Sequence, residues 1–188
     1  MLPPVVKMSA QIGSEQRTAW YSACGHYRYQ LNVAWESMLP AVQFIGLNPS
    51  TATERQDDPT VRRCKRFAEG WGYGTLVMTN LAAFRATDPA RMHSAPDPIG
   101  PENDVEFLGS RGPAVVICAW GTHAKDPALY RHSLAVLAKL SQRAHVLRLT
   151  REGFPSHPLY LPAALRPVPY HAAQPPLSMA GSAEQPAR

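Results

Sequence analysis

AVQFIGLNPS, residues Ala41 to Ser50, decides how this chain is read. Its first six residues carry no charge and are too few for an independent helix, and Gly46, Asn48 and Pro49 break any continuation. That is the pattern of a short buried strand delivering a loop at its C-terminal end. The pattern recurs downstream. TLVMT at Thr75–Thr79 ends at Asn80, AVVICAW at Ala114–Trp120 is closed by Gly121, and HVLRL at His145–Leu149 runs on to Ser156-His157-Pro158. Between the first two runs, Asp58 can cap a helix, Pro59 suits its first position, and Val61, Cys64, Phe67 and Trp71 recur at helical spacing. A second helix is expected from Pro101 through Val105 and Leu108, and a third begins near Pro127 with Leu129, Val136, Leu137 and Leu140 on one face. Strands separated by helices of this length call for right-handed crossovers and a parallel sheet covered on both faces. Upstream, Tyr27, Tyr29, Leu31, Val33 and Trp35 alternate with Arg28, Gln30, Asn32 and Ala34, a period-two strand read as an antiparallel N-terminal edge. The fold class is therefore α/β, a three-layer αβα sandwich on a mainly parallel four-stranded sheet. Residues 1–17 read as a loose arm, 18–166 as a single α/β domain and 167–188 as a disordered Pro/Ala-rich tail.

Composition fits one such domain. The 188 residues are 45% hydrophobic and 18% charged, enough for a packed core and against wholesale disorder. Nineteen basic against fourteen acidic side chains give +5, a lean toward a polyanionic partner. Proline, at 19 residues, has about twice its usual share, so loops are stiff and helices stop abruptly. Cys24, Cys64 and Cys118 are scattered, form no CxxC pair and cannot build a zinc ribbon or an iron–sulfur site. No apolar run reaches membrane-spanning length and Met1–Ala10 lacks a signal-peptide pattern, so no membrane partner and a cytoplasmic location are expected. Asp57, Asp58, His123 and His157 show no ligand spacing, and neither a metal nor a cofactor is expected. Oligomeric state is not legible.

In an open parallel sheet ligands bind beyond the carboxyl ends of the strands. Four such ends here carry polar or aromatic chemistry: Asn48 to Ser50, Asn80, Trp120 to His123, and Ser156 to Pro158. No dinucleotide fingerprint, P-loop, nucleophile elbow or HExxH competes with them.

At these residues the chain resembles known families. GLNPS at Gly46–Ser50 is similar to the first motif of the uracil-DNA glycosylase superfamily, in particular the GINPG form of its mismatch-specific branch. Asn80 is similar to the asparagine that reads the flipped base, ICAWGTHA at Ile117–Ala124 to that superfamily's third strand, and HPLYL at His157–Leu161 to its second motif. More closely, the run from Tyr27 to Pro162 resembles the bacterial and phage domain-of-unknown-function family DUF1643, with NPSTA, DDPTxRRC, NLxAxRATDP, DPxGPEND, WGxH and HPLY in order. The sequence departs from the glycosylases at Ser50, where Gly or Tyr is usual, in the DDPT-RRC helix start, and in lacking the serine-containing stretch that pinches DNA phosphates.

The resemblance implies a uracil-DNA glycosylase-like fold and a nucleobase or nucleotide ligand, with DNA and DNA repair in view. The leading expectation is an N-glycosidase, a hydrolase, in which Asn48 orients water, His157 donates to a base oxygen, Asn80 reads a Watson–Crick edge and Phe84 or Trp120 stacks. Ser50, Arg62, Arg63 and Arg85 are candidate phosphate contacts, although the arginines at 62 and 63 equally suit a solvated helix face. Asp57 and Asp58 are candidate acid–base groups that would also serve a helix N-terminus. The alternatives are a non-catalytic nucleotide or nucleic-acid binding module, or an enzyme centred on Asp57, Asp58 and Arg63.

Overall fold

The computed structural model of the protein describes residues 5–105, 108 and 113–170. It is an α/β fold on a mixed eight-stranded sheet. The strands are β1 (Val5–Ile12), β2 (Glu15–Ser22), β3 (Arg28–Ala34), β4 (Ala41–Gly46), β5 (Thr75–Asn80), β6 (Val116–Cys118), β7 (Ala144–Val146) and β8 (Val168–Pro169). Helices α1 (Pro59–Gly70), α2 (Pro89–His93) and α3 (Pro127–Leu140) fall between them. The spatial order is β1-β2-β3-β5-β4-β6-β7-β8. Strands β5, β4, β6 and β7 run parallel, while β1, β2 and β3 on one side and β8 on the other are antiparallel to their neighbours.

The central strand explains its own composition. Val42 and Phe44 of β4 enter one buried cluster with Val61, Cys64 and Phe67 of α1. Ile45 enters a second with Leu129, Val136 and Leu140 of α3. A strand covered on both sides cannot alternate polar with apolar, which is why the run is continuous. Each fully buried large side chain of this kind contributes about 1.5–3 kcal/mol. The helices start where their caps dictate. Asp58 Oδ1 accepts from Val61 N at 2.8 Å, and Asp126 accepts from Ala128 N and Leu129 N, with Pro at the first position of both helices.

The sheet is wider than the sequence suggests. The strand read as an edge, β3, lies inside it, because β2 and β1 continue beyond as a hairpin turned at Gly13 and Ser14. Residues 1–17 are thus no loose arm over their described part. β1 is solvent-exposed on both faces, so no burial period marks it, and β2 turns Arg17 inward beside Ala19 and Tyr21, which masks its alternation. At the other end Val168 and Pro169, assigned to the tail, pair with β7, while residues 171–188 lie outside the described set. Of the helix expected from Pro101, Val105 and Leu108 are helical and the residues between them lie outside that set.

Candidate functional site

Beyond the carboxyl ends of β4, β5 and β6 the sheet opens into a cavity of about 430 Å³. Gly46, Asn80 and Ala119, at or just past those three ends, all line it. The loops that follow add Asn48 and Ser50 from the first end, Trp120 to His123 from the third, and His157 from far along the chain. Asn48, Asn80 and His157 therefore share one cavity, although 109 positions separate the first of them from the last.

Asn80 is 3% exposed and its Nδ2 is buried with no hydrogen-bond partner among the described residues. An unsatisfied buried amide costs about 1–3 kcal/mol, so this side chain is ready for an acceptor that enters the cavity, whether water or ligand. Its position depends on its neighbour across the ladder. Gly46 pairs with Asn80 in register, and a Cβ at Gly46 would lie 2.8 Å from Asn80 Oδ1. Glycine at the end of β4 is thus what lets the amide lie against the strand.

Asn48 is differently committed. Its Nδ2 donates to Ala86 O at 2.7 Å and to Pro49 O at 3.1 Å. Both bonds use the NH₂ group, so the side-chain carbonyl is left as an acceptor in a fixed orientation. His157 Nδ1 accepts from Leu159 N at 3.4 Å, capping the short 3₁₀ turn Pro158–Tyr160. That bond assigns the proton of the neutral ring to Nε2, making it a donor. Burial pushes the His157 pKa below the usual histidine value, with the Asp58 charge opposing. The imidazole is therefore neutral at pH 7.

Two charged groups complete the lining. Asp58, 7% exposed, spends Oδ1 on its cap and is the carboxylate facing this cavity. Arg28, 2% exposed, comes from β3 and was not singled out by the sequence. Burial lowers its pKa to about 10, with Asp58 opposing, so it stays charged at pH 7. Arginine in the polar register of an alternating strand reads as solvent-facing, and nothing local announces that the loop after β4 covers it. Tyr160, 87% exposed, stands on the rim and was likewise not singled out.

The other candidates lie apart. Trp120 lines the cavity but is 2% exposed and packs in the second core cluster. Phe84 does not line the cavity. It packs edge-on to Tyr27 at 5.7 Å. Asp57 is ion-paired with Arg17, and Arg62 donates to the Asp57 carbonyl at 2.8 Å on the surface. Arg63 donates to Leu161 O and lies over the Phe67 ring. Of Asp57, Asp58 and Arg63, only Asp58 reaches the cavity. Arg85 and Arg91 line a shallow adjoining groove that shares Ser50 and Thr87 with the cavity. Among the described residues no three His, Cys, Asp or Glu side chains are grouped as a metal site requires, and no helix is long and apolar enough to cross a membrane.

Fold and cavity together define an α/β protein with a ligand-sized pocket of mixed polar and apolar lining at the carboxyl ends of its parallel strands. The chain belongs to the family described as Protein of unknown function (DUF1643), which matches residues 28–159. No curated protein matches the chain. Among solved structures, a putative acetyl xylan esterase (BF1801) from Bacteroides fragilis NCTC 9343 aligns at TM-score 0.39 and 13% identity, over 86% of this chain and 56% of that one. A likeness that distant carries nothing about activity.

Proposed function

We propose that the cavity recognises a nucleobase and that the protein is an N-glycosidase acting on a damaged or modified base, in a three-layer arrangement of the uracil-DNA glycosylase kind. The observation that carries this reading is the buried, unpartnered amide of Asn80 in the same cavity as Asn48 and His157. A primary amide offers a donor and an acceptor side by side, the pattern that matches a base edge. In cleavage, water attacks the anomeric carbon while the glycosidic bond breaks and its electron pair passes to the base. The Asn48 carbonyl orients that water. Asp58 accepts its proton, and the neutral His157 Nε2–H donates to a base oxygen as charge develops there. An asparagine cannot itself take the proton, which is why the step needs the Asp58 carboxylate of the same cavity.

Mass spectrometry of free base released from modified nucleosides, nucleotides and single- and double-stranded oligonucleotides tests the reading. Release should disappear in Asn48→Ala while ligand binding persists. Binding without release in the wild-type protein would instead identify a non-catalytic nucleotide or nucleic-acid module. That second reading is favoured by one detail, that the Asn48 amide is tied down by two backbone carbonyls as a structural turn would tie it.

A further inference from the structure

Arg28 is buried with few partners for its guanidinium among the described residues. Of its donors, Nη1 bonds Ala52 O at 2.5 Å, and Nε is buried with no partner among those residues. Among the described residues no carboxylate lies within ion-pair distance of it. Charged groups are almost never buried unless paired, because desolvation costs several kcal/mol per ion. Asp58, in the same cavity, offsets part of that cost from a distance without occupying the donors. The surrounding lining is rich in hydroxyls. Ser50, Thr60, Thr87 and Thr122 all face the cavity, and none bonds the protein through its hydroxyl among the described residues. A buried guanidinium in a cavity also lined by uncommitted hydroxyls supplies the donor set of a phosphate site.

We propose that the cavity takes its ligand as a nucleoside monophosphate, with Arg28 binding the phosphate inside the cavity. The base half of this assignment rests on the nucleobase reading above, whereas the anion half rests on Arg28 alone. Burial also decides between a free nucleotide and a strand. A base flipped from a polymer leaves its phosphates outside the pocket, where Arg85 and Arg91 of the adjoining groove would meet them. Arg28, at 2% exposure, reaches only an anion that enters.

Titration calorimetry of the full chain with the ribo- and deoxyribonucleoside 5′-monophosphates of both the ordinary and the modified bases, the matching nucleosides, inorganic phosphate and a short single strand separates the cases. The wild type should bind at least one monophosphate about tenfold or more tightly than its nucleoside, with affinity falling as salt rises. Arg28→Lys should lose about tenfold for the monophosphate and leave the nucleoside unchanged, since a point charge cannot replace the fork. Should the variant fail to fold, the wild-type comparison of nucleotide with nucleoside decides the question. Equal affinity for the two, or tighter binding of the strand than of any monophosphate, overturns the phosphate site and leaves the nucleobase reading standing. Phosphate binding that the nucleoside portion does not improve keeps the anion site and removes the nucleobase. Binding of no probe overturns both.

Discussion

A single amide, Asn80, connects stability with function at the residue scale. A polar group buried without a partner costs free energy, and replacing it by an apolar group of similar volume is neutral or stabilising. Asn80→Leu should therefore unfold at the same or higher denaturant concentration than the wild type, yet lose base release and ligand binding. A loss of about 2 kcal/mol or more in that unfolding experiment would mark Asn80 as an ordinary structural residue. Gly46→Ala should act through the same atom. Its new Cβ would crowd Asn80 Oδ1, turning the amide and costing about 1–3 kcal/mol by overpacking as well as the site. His157 supplies a pH test. Its folded pKa lies below that of the unfolded chain, about 6.5. As pH falls through that value the unfolded state takes up the proton first, so the stability associated with neutral His157 is present above it and drains away below it. Denaturation between pH 7.5 and pH 5.5, both near that reference value, should show a larger loss for the wild type than for His157→Gln.

Elements bring these residues together, and at this scale the sequence was most informative. The DPT start of α1 was legible because Asp at the cap and Pro at the first position each have one physical use there. The apolar runs of β4, β5 and β6 were legible because a strand buried on both faces leaves no room for polar residues, and their ends then fixed which asparagines and loops meet. The hairpin of β1 and β2 was not legible, since one strand buries nothing and the other buries an arginine. Nor was Arg28, whose burial comes from a loop that meets it at Ala52, 24 residues downstream, and not from its own strand. Phe84 failed as a base-stacking candidate for the converse reason. Its neighbours Tyr27 and His26 claim the ring. The helix start also allows capping to be separated from chemistry. Asp58→Asn keeps an excellent cap and removes the charge, so stability should fall only by what the carboxylate contributes in offsetting the Arg28 charge, while base release falls about a hundredfold. Asp58→Ala should lose the same activity and also about 1 kcal/mol of stability. Equal activity in the Asn variant and the wild type would leave the carboxylate with only its structural role.

Across the whole molecule the hairpin that precedes the family match at residue 28 braces the site from outside it. Arg17, 4% exposed on β2, bonds Glu15 at 2.9 Å and pairs with Asp57, the residue next to Asp58. Lys65 on α1 pairs with the same Glu15, so strand, loop and helix share one charge network. Tyr21, further along β2, donates to Glu54 at 3.0 Å and so holds the same loop at a second point. The loop between β4 and α1 carries both Ser50 and Asp58, and these contacts hold it from the hairpin side while Arg28 holds it at Ala52 O and the cap holds its end. Removing one member of a fully buried ion pair costs about 3–5 kcal/mol, but Asp57 and Glu15 keep 14% and 17% exposure. Arg17→Met should therefore destabilise the protein by less than that amount, with Lys65 recovering part of it through Glu15. Its more telling effect should be on function, because the carboxylate of Asp58 moves with Asp57. Ligand affinity or base release should fall in Arg17→Met at temperatures where circular dichroism shows the variant fully folded. Asp57→Asn should reproduce part of the loss, since it removes the ion pair but keeps the backbone. Unchanged function in a folded Arg17→Met would mean that the cavity wall stands without the hairpin, and that residues 28–159 hold the site by themselves.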